Sequence, residues 1–309
     1  MALRIALSGF VVLIVAMGIG RFAFTPQVPL MIRDGQLTLT SAGLVAAMNY
    51  LGYLFGAWDA MRAHRHVESR LYAGVFGAVA LTFLSALADN AIAHGLLRLV
   101  IGMMSGWAMV LTAAWITDQL AHAGKPSLNA AVFAGPGAGI ALSGLLAIGI
   151  QSKALSAAAG WQVYGVLALV LIALIARWLP RPGQLHRSGD KPQPLTLTPD
   201  IKRLVWSYSL AGFGYILPAT FLSQMAAQRF PGSVFAQFVW PVFGAAAVLG
   251  IALSITLRHV GRSHQRLAVV LWLQGAVVIA AWLLPGMAGL VSGALLVGGG
   301  FLCAVQLSL

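Results

Sequence analysis

Ten apolar stretches, separated by short polar connections, take up nearly all of the 309 residues. A helix that crosses a bilayer needs roughly 20 mostly apolar residues. The runs at 6–31, 41–61, 70–88, 92–117, 128–150, 159–179, 203–225, 234–257, 267–284 and 288–308 are of about that length. The expectation is an all-α, polytopic membrane helix bundle of about ten transmembrane helices. A transmembrane barrel is excluded, because barrel strands alternate apolar and polar residues over about ten positions. With 8% charged against 60% hydrophobic residues, the chain has too little polar surface for a sizeable water-facing domain.

Arg4 ahead of an apolar run imitates a signal peptide. The run is too long, has no small-x-small cleavage site in a polar flank, and is followed by nine further spans. The one cysteine, Cys303, allows neither a disulfide framework nor a cysteine metal site within the chain.

The net charge of +12 is distributed by side. Arg4, Arg62, Arg65, Arg70, Lys125, Arg177, Arg181, Arg187, Lys191, Lys202, Arg203, Arg258, Arg262 and Arg266 fall in alternate connections. The opposite connections hold Arg33, Lys153 and Arg229. Loops rich in Lys and Arg stay in the cytoplasm, which predicts a cytoplasmic N-terminus. The lipid bilayer is the partner this implies. No basic loop carries the interleaved aromatics of a nucleic-acid interface, so nucleic acid is not an expected partner. Residues 181–202, rich in proline and polar groups, read as a cytoplasmic linker. They divide an N-terminal six-helix bundle, 1–180, from a C-terminal bundle, 203–309, with four helices present. Asp200 is the expected cap of the helix that follows.

Gly18, Gly20 and Met31 recur as Gly212, Gly214 and Met225, all at a shift of 194 positions (18 to 212). The basic loop Arg62-Ala63-His64-Arg65 is echoed by Arg258-His259 and Arg262-Ser263-His264. Duplicated halves are a common transporter plan.

Three segments carry a family resemblance. Gly18-Ile19-Gly20-Arg21-Phe22-Ala23-Phe24-Thr25-Pro26, with Pro29 and Met31 following, resembles the first helix of the bacterial YbfB/YjiJ-type branch of the major facilitator superfamily. Gly212-Phe213-Gly214-Tyr215, running to Leu222, is similar to its seventh helix. Arg98-Leu99-Val100-Ile101-Gly102 resembles the superfamily's R-x-x-Q-G pattern, with Ile101 in the polar place. Gly135-Pro136-Gly137-Ala138-Gly139 is similar to the centre of its antiporter motif, without the flanking glycines at Ala131 and Ile140. In Gly56-Ala57-Trp58-Asp59, the acid stands one position early relative to the superfamily's G-x-L-A-D-R loop. The resemblance implies a two-bundle secondary transporter of the bacterial inner membrane that works by alternating access. Such transporters have twelve spans, so a C-terminal truncation missing two helices is part of the expectation.

Arg21 and Arg98 are the cations inside spans. A charge at the centre of a bilayer costs at least about 2.5 kcal/mol, so each must face protein or water, or snorkel outward. Gly18, Arg21, Thr25 and Pro29 share one face of a regular helix. Pro26 and Pro29 either open backbone groups toward a cavity or kink the helix for packing. Arg21, Thr25, Arg98 and Tyr215 are therefore the candidates for substrate binding or coupling. Gly18, Gly20, Pro26, Pro29, Gly102, Gly135, Pro136, Gly139, Gly212 and Gly214 are candidates for bending or close packing. Tyr50, Tyr53, Trp107, Tyr208 and Trp240 are further aromatics that either stack on a solute or pack helices.

The seven acidic residues fall in loops or at helix ends, which leaves no obvious carboxylate in the membrane. No metal site, cofactor motif, nucleotide-binding loop or catalytic cluster is present, and an enzyme is not expected. The functional expectation is a secondary transporter for a small organic solute, with an anion and proton coupling as its finer form. The alternative is a non-transporting membrane sensor or assembly subunit that keeps the fold.

Overall fold

The computed structural model describes residues 1–181, 183–185, 198–284 and 286–308. Ten helical rods follow one another. They are α1 (Ala2–Arg33), α2 (Leu39–Arg62), α3 (Val67–Leu87), α4 (Ala91–His122), α5 (Leu128–Ser152), α6 (Ala157–Trp178), α7 (Pro199–Arg229), α8 (Val234–His259), α9 (Ser263–Leu283) and α10 (Met287–Ser308).

Among the described residues, eight rods are long and apolar enough to cross a membrane, two fewer than the ten expected. α2 dilutes its apolar run with Thr40, Ser41, Asn49 and Asp59, whereas residues 267–283 of α9 are apolar except for Gln274. Several rods also outrun the apolar stretches read from the sequence. α4 has 32 residues and α7 has 31, because their polar ends remain helical.

Caps set the starts. Thr38 and Ser41 form a reciprocal capping box ahead of α2, supplying hydrogen bonds that the first helical turn cannot make internally. Asn90 and Ser156 cap α4 and α6. The cap of α7 is Thr198, not Asp200, which lies inside the first turn after Pro199. At the connection after α1, Asp34 accepts from the Ala157 amide at 2.7 Å and from Arg33 Nε at 2.8 Å. The Arg33 guanidinium holds this carboxyl below the usual carboxylate range. The linker 181–202 lies largely outside the described residues.

α2 and α4 pack most extensively, and glycines explain how. A Cβ on Gly52 would stand 1.9 Å from the Leu99 carbonyl oxygen, and one on Gly56 2.2 Å from that of Met103. From the other side, a Cβ on Gly102 would stand 2.2 Å from the Asn49 oxygen. Pairs of glycines four apart thus bring the two backbones into contact, as small residues do in membranes where apolar side chains gain little by leaving lipid. α1 and α5 meet likewise at Gly18 and Gly139, and α5 and α8 at Gly144 against Pro241.

One apolar core joins α1–α6 around Val12, Ile19, Val45, Leu111, Trp161 and Tyr164. A second joins α7, α8, α9 and α10 to the inner faces of α1, α4 and α5 around Leu13, Trp115, Ile140, Trp240, Phe243 and Phe301. The candidate site lies where these cores adjoin.

Candidate functional site

The first rod is continuous in sequence but not in hydrogen bonding. After Leu13 it widens into a π-helix over Ile14–Ile19, then turns irregularly until Phe24. The Gly20 amide donates to the Val15 carbonyl at 2.8 Å, and that of Phe22 to Met17 at 2.9 Å, both five residues back. Pro26 has no amide hydrogen to return to Phe22, whose carbonyl accepts from Thr25 instead. Pro136 stands at a similar break in α5, between Val132 and Gly135. Such bulges recur at functional sites because they turn side chains out of the regular helical order.

Arg21 sits at this break and is 8% exposed. Its guanidinium carbon lies 4.2 Å from the ring centre of Tyr53, 4.9 Å from Tyr50 and 5.1 Å from Phe22. Its Nε is buried without a hydrogen-bond partner, and no carboxylate lies within ion-pair distance among the described residues. A cavity of about 150 Å³ opens on one side of it, lined also by Met17, Tyr53, Met109, Pro136, Tyr208, Gly212, Tyr215, Gln274 and Phe301. A cleft of about 600 Å³ between α7 and α9 shares Tyr215 and Gln274 with that cavity. On the other side, a water-sized space of about 20 Å³ is bounded by Arg21, Thr25, Asn49, Tyr50 and Thr220.

There the halves of the chain are tied together. Thr25 Oγ1 donates to the Ala219 carbonyl, and the Tyr50 hydroxyl lies 3.2 Å from Thr220 Oγ1. Thr25 and Ala219 are 194 positions apart, the shift that relates Gly18 to Gly212. Arg21 and Tyr215 are separated by the same interval (21 to 215) and line the same cavity.

Arg98 is differently placed. It is fully buried and is not among the residues lining the cavity. Nη1 donates to the Gly20 carbonyl at 2.7 Å, Nη2 reaches Ser85 Oγ at 3.4 Å, and the guanidinium stands 4.5 Å from the Trp161 ring centre. It neither snorkels nor shares a space with Arg21; it braces the backbone from which Arg21 projects. Gly102, Gly135 and Gly139 make close backbone approaches, whereas a Cβ on Gly212 or Gly214 would meet nothing within 4 Å. Pro29 lies inside the second half of α1. Trp107 donates to Asp59, which also accepts from Arg70 at 2.7 Å, and Trp240 stacks on Phe243.

Gln274 was not singled out in the sequence. Its signal was available, since it is the one polar side chain between Leu267 and Leu284.

These features can be set beside known proteins. A family described as "Uncharacterised MFS-type transporter YbfB" matches residues 13–309. The chain belongs to this family of the major facilitator superfamily. The resemblance read from the first, fourth and seventh helices is thereby borne out, together with the all-α membrane fold. This transporter-family chain matches no curated protein in sequence. Among solved structures it is similar to the nucleoside transporter NupG, with a TM-score of 0.64 and 14% identity over 99% of this chain and 80% of that one. It is similar also to the transporter FucP in the outward conformation, with a TM-score of 0.62 and 16% identity over 98% and 82%. At such identities the likeness is one of fold.

Proposed function

We propose that this chain is a secondary transporter of the bacterial inner membrane. It carries a small organic anion past Arg21 as two bundles, 1–180 and 203–309, rock about the site. The observation that carries the proposal is a nearly buried arginine, open to a cavity, beside three aromatic rings and with no carboxylate within ion-pair distance among the described residues. Burying an unpaired charge is costly, and a carboxylate or phosphate on the solute supplies the partner through charge-assisted hydrogen bonds. The rings of Tyr50 and Tyr53 hold the guanidinium by cation–π attraction at the edge of the cavity.

The test is flux in proteoliposomes offered a panel of carboxylates, phosphate esters, amines and sugars. At least one anion is expected to exchange across the membrane, and dissipating the proton gradient is expected to abolish its accumulation. Exchange confined to amines or sugars would refute the anion; binding of an anion without flux would favour a sensor.

The orientation is tested separately, with single cysteines in a Cys303→Ser background. Cytoplasmic Lys- and Arg-rich connections predict that Ser156→Cys, ahead of α6, reacts with an impermeant thiol reagent on intact cells. His264→Cys, in the first turn of α9, is expected to react only after permeabilisation. The reverse pattern would invert the topology.

A further inference from the structure

α8 and α9 diverge over a floor formed by α10 and leave a groove of about 590 Å³. Its walls are apolar: Leu249, Leu253 and Leu257 on α8, Val269 and Leu273 on α9, all about half exposed or more. Its polar end is formed by Ser254, Gln265 and Arg266, beside a connection that also carries Arg258 and Arg262.

The corresponding place in the first half shows what is missing. Arg70 is the fourth residue of α3, and its guanidinium meets the Asp59 carboxylate at 2.7 Å. Arg266 is the fourth residue of α9. Its Nη1 reaches only the Ser254 carbonyl, at 3.4 Å, its Nη2 the Ser263 hydroxyl, at 3.2 Å, and its buried Nε has no partner. No Asp or Glu occurs anywhere after Asp200. The second half of this chain therefore holds no carboxylate that could take the place of Asp59.

We propose that the groove between α8 and α9 binds an anionic phospholipid, its acyl chains along the leucine walls and its phosphate on Arg266. The chemistry selects this occupant. The walls suit hydrocarbon, the arginine fork suits phosphate, and Arg258 and Arg262 add attraction for net negative charge at a membrane surface. A zwitterionic lipid would bring its own cation against these arginines. The orientation proposed above puts the polar end of the groove at the cytoplasmic leaflet; the binding itself depends neither on that orientation nor on the transported solute.

The experiment is native mass spectrometry of the purified full chain after detergent exchange, with phosphatidylglycerol or phosphatidylcholine added at equal concentration. Wild type is expected to retain phosphatidylglycerol preferentially. Arg266→Gln is expected to weaken that retention roughly fivefold, the effect of one basic side chain near an anionic lipid. Arg177→Gln, an exposed arginine away from the groove, should leave it unchanged. Leu253→Trp fills the groove below an intact Arg266 and provides the same test should Arg266→Gln fail to fold. Inorganic phosphate should not displace the lipid. Equal retention of both lipids, undiminished retention in Arg266→Gln or Leu253→Trp, equal loss in Arg177→Gln, or displacement by inorganic phosphate would each overturn the proposal.

Discussion

Arg21→Lys is expected to reduce anion transport at least tenfold while leaving the melting temperature of the purified protein nearly unchanged. Charge is conserved, so the effect comes from shape. The guanidinium lies 4.2 and 4.9 Å from the ring centres of Tyr53 and Tyr50 at the edge of the cavity; an ammonium group keeps a cation–π attraction but not the planar fork that grips a carboxylate or phosphate at two points. A hydrogen bond to a charged group is worth about 1.5–3 kcal/mol, and each 1.4 kcal/mol lost from binding or from the transition state is a factor of ten. Initial rates in proteoliposomes at matched protein density give the measurement.

Arg98→Lys serves as the contrast. That side chain holds the Gly20 carbonyl and approaches Ser85 within the protein. The substitution keeps the buried charge and its desolvation cost while removing the two-point contact, so folding itself should lose about 1.5–3 kcal/mol. Unimpaired transport by Arg21→Lys at equal expression would remove Arg21 from the binding role.

The helices were legible because a bilayer imposes a length and a composition that every span must meet. α2 and α9 both bring polar side chains inward. Asn49 of α2 donates to the Arg98 carbonyl at 2.9 Å, and Gln274 of α9 lines the cavity. The helical face joining Gly18, Arg21, Thr25 and Pro29 assumed regular turns. The π-helix and the break before Phe24 alter the rotation between Gly18 and Thr25, so a regular 3.6-residue period could not reveal which rings surround Arg21. The roles of the two arginines could not be separated for the same reason. Both are cations among apolar residues in sequence, and only the tertiary contacts show that one opens to a cavity and the other to backbone. Glycine was ambiguous in a similar way: Gly102 and Gly214 look alike in the chain, yet one touches a neighbouring helix and the other nothing.

That difference yields an opposite sign for the same substitution. Replacing Gly by Ala in a helix interior ordinarily stabilises it by up to about 1 kcal/mol, because Ala loses less backbone entropy and orders the turn. Gly214→Ala should follow this rule, since the added methyl meets no atom within 4 Å. Gly52→Ala should break it. The methyl would stand 1.9 Å from the Leu99 carbonyl oxygen and 2.8 Å from the carbonyl carbon, and both are backbone. A flexible side chain could turn aside; here α2 and α4 must separate, and their separation would also open the approaches at Gly56 and Gly102. Overpacking of this kind costs about 1–3 kcal/mol and occasionally more. The expected result is a lower melting temperature and loss of monodisperse protein in size-exclusion chromatography for Gly52→Ala, against an equal or higher melting temperature for Gly214→Ala. Matching behaviour of the two variants would mean that close backbone contact between α2 and α4 is not what holds the first six helices together.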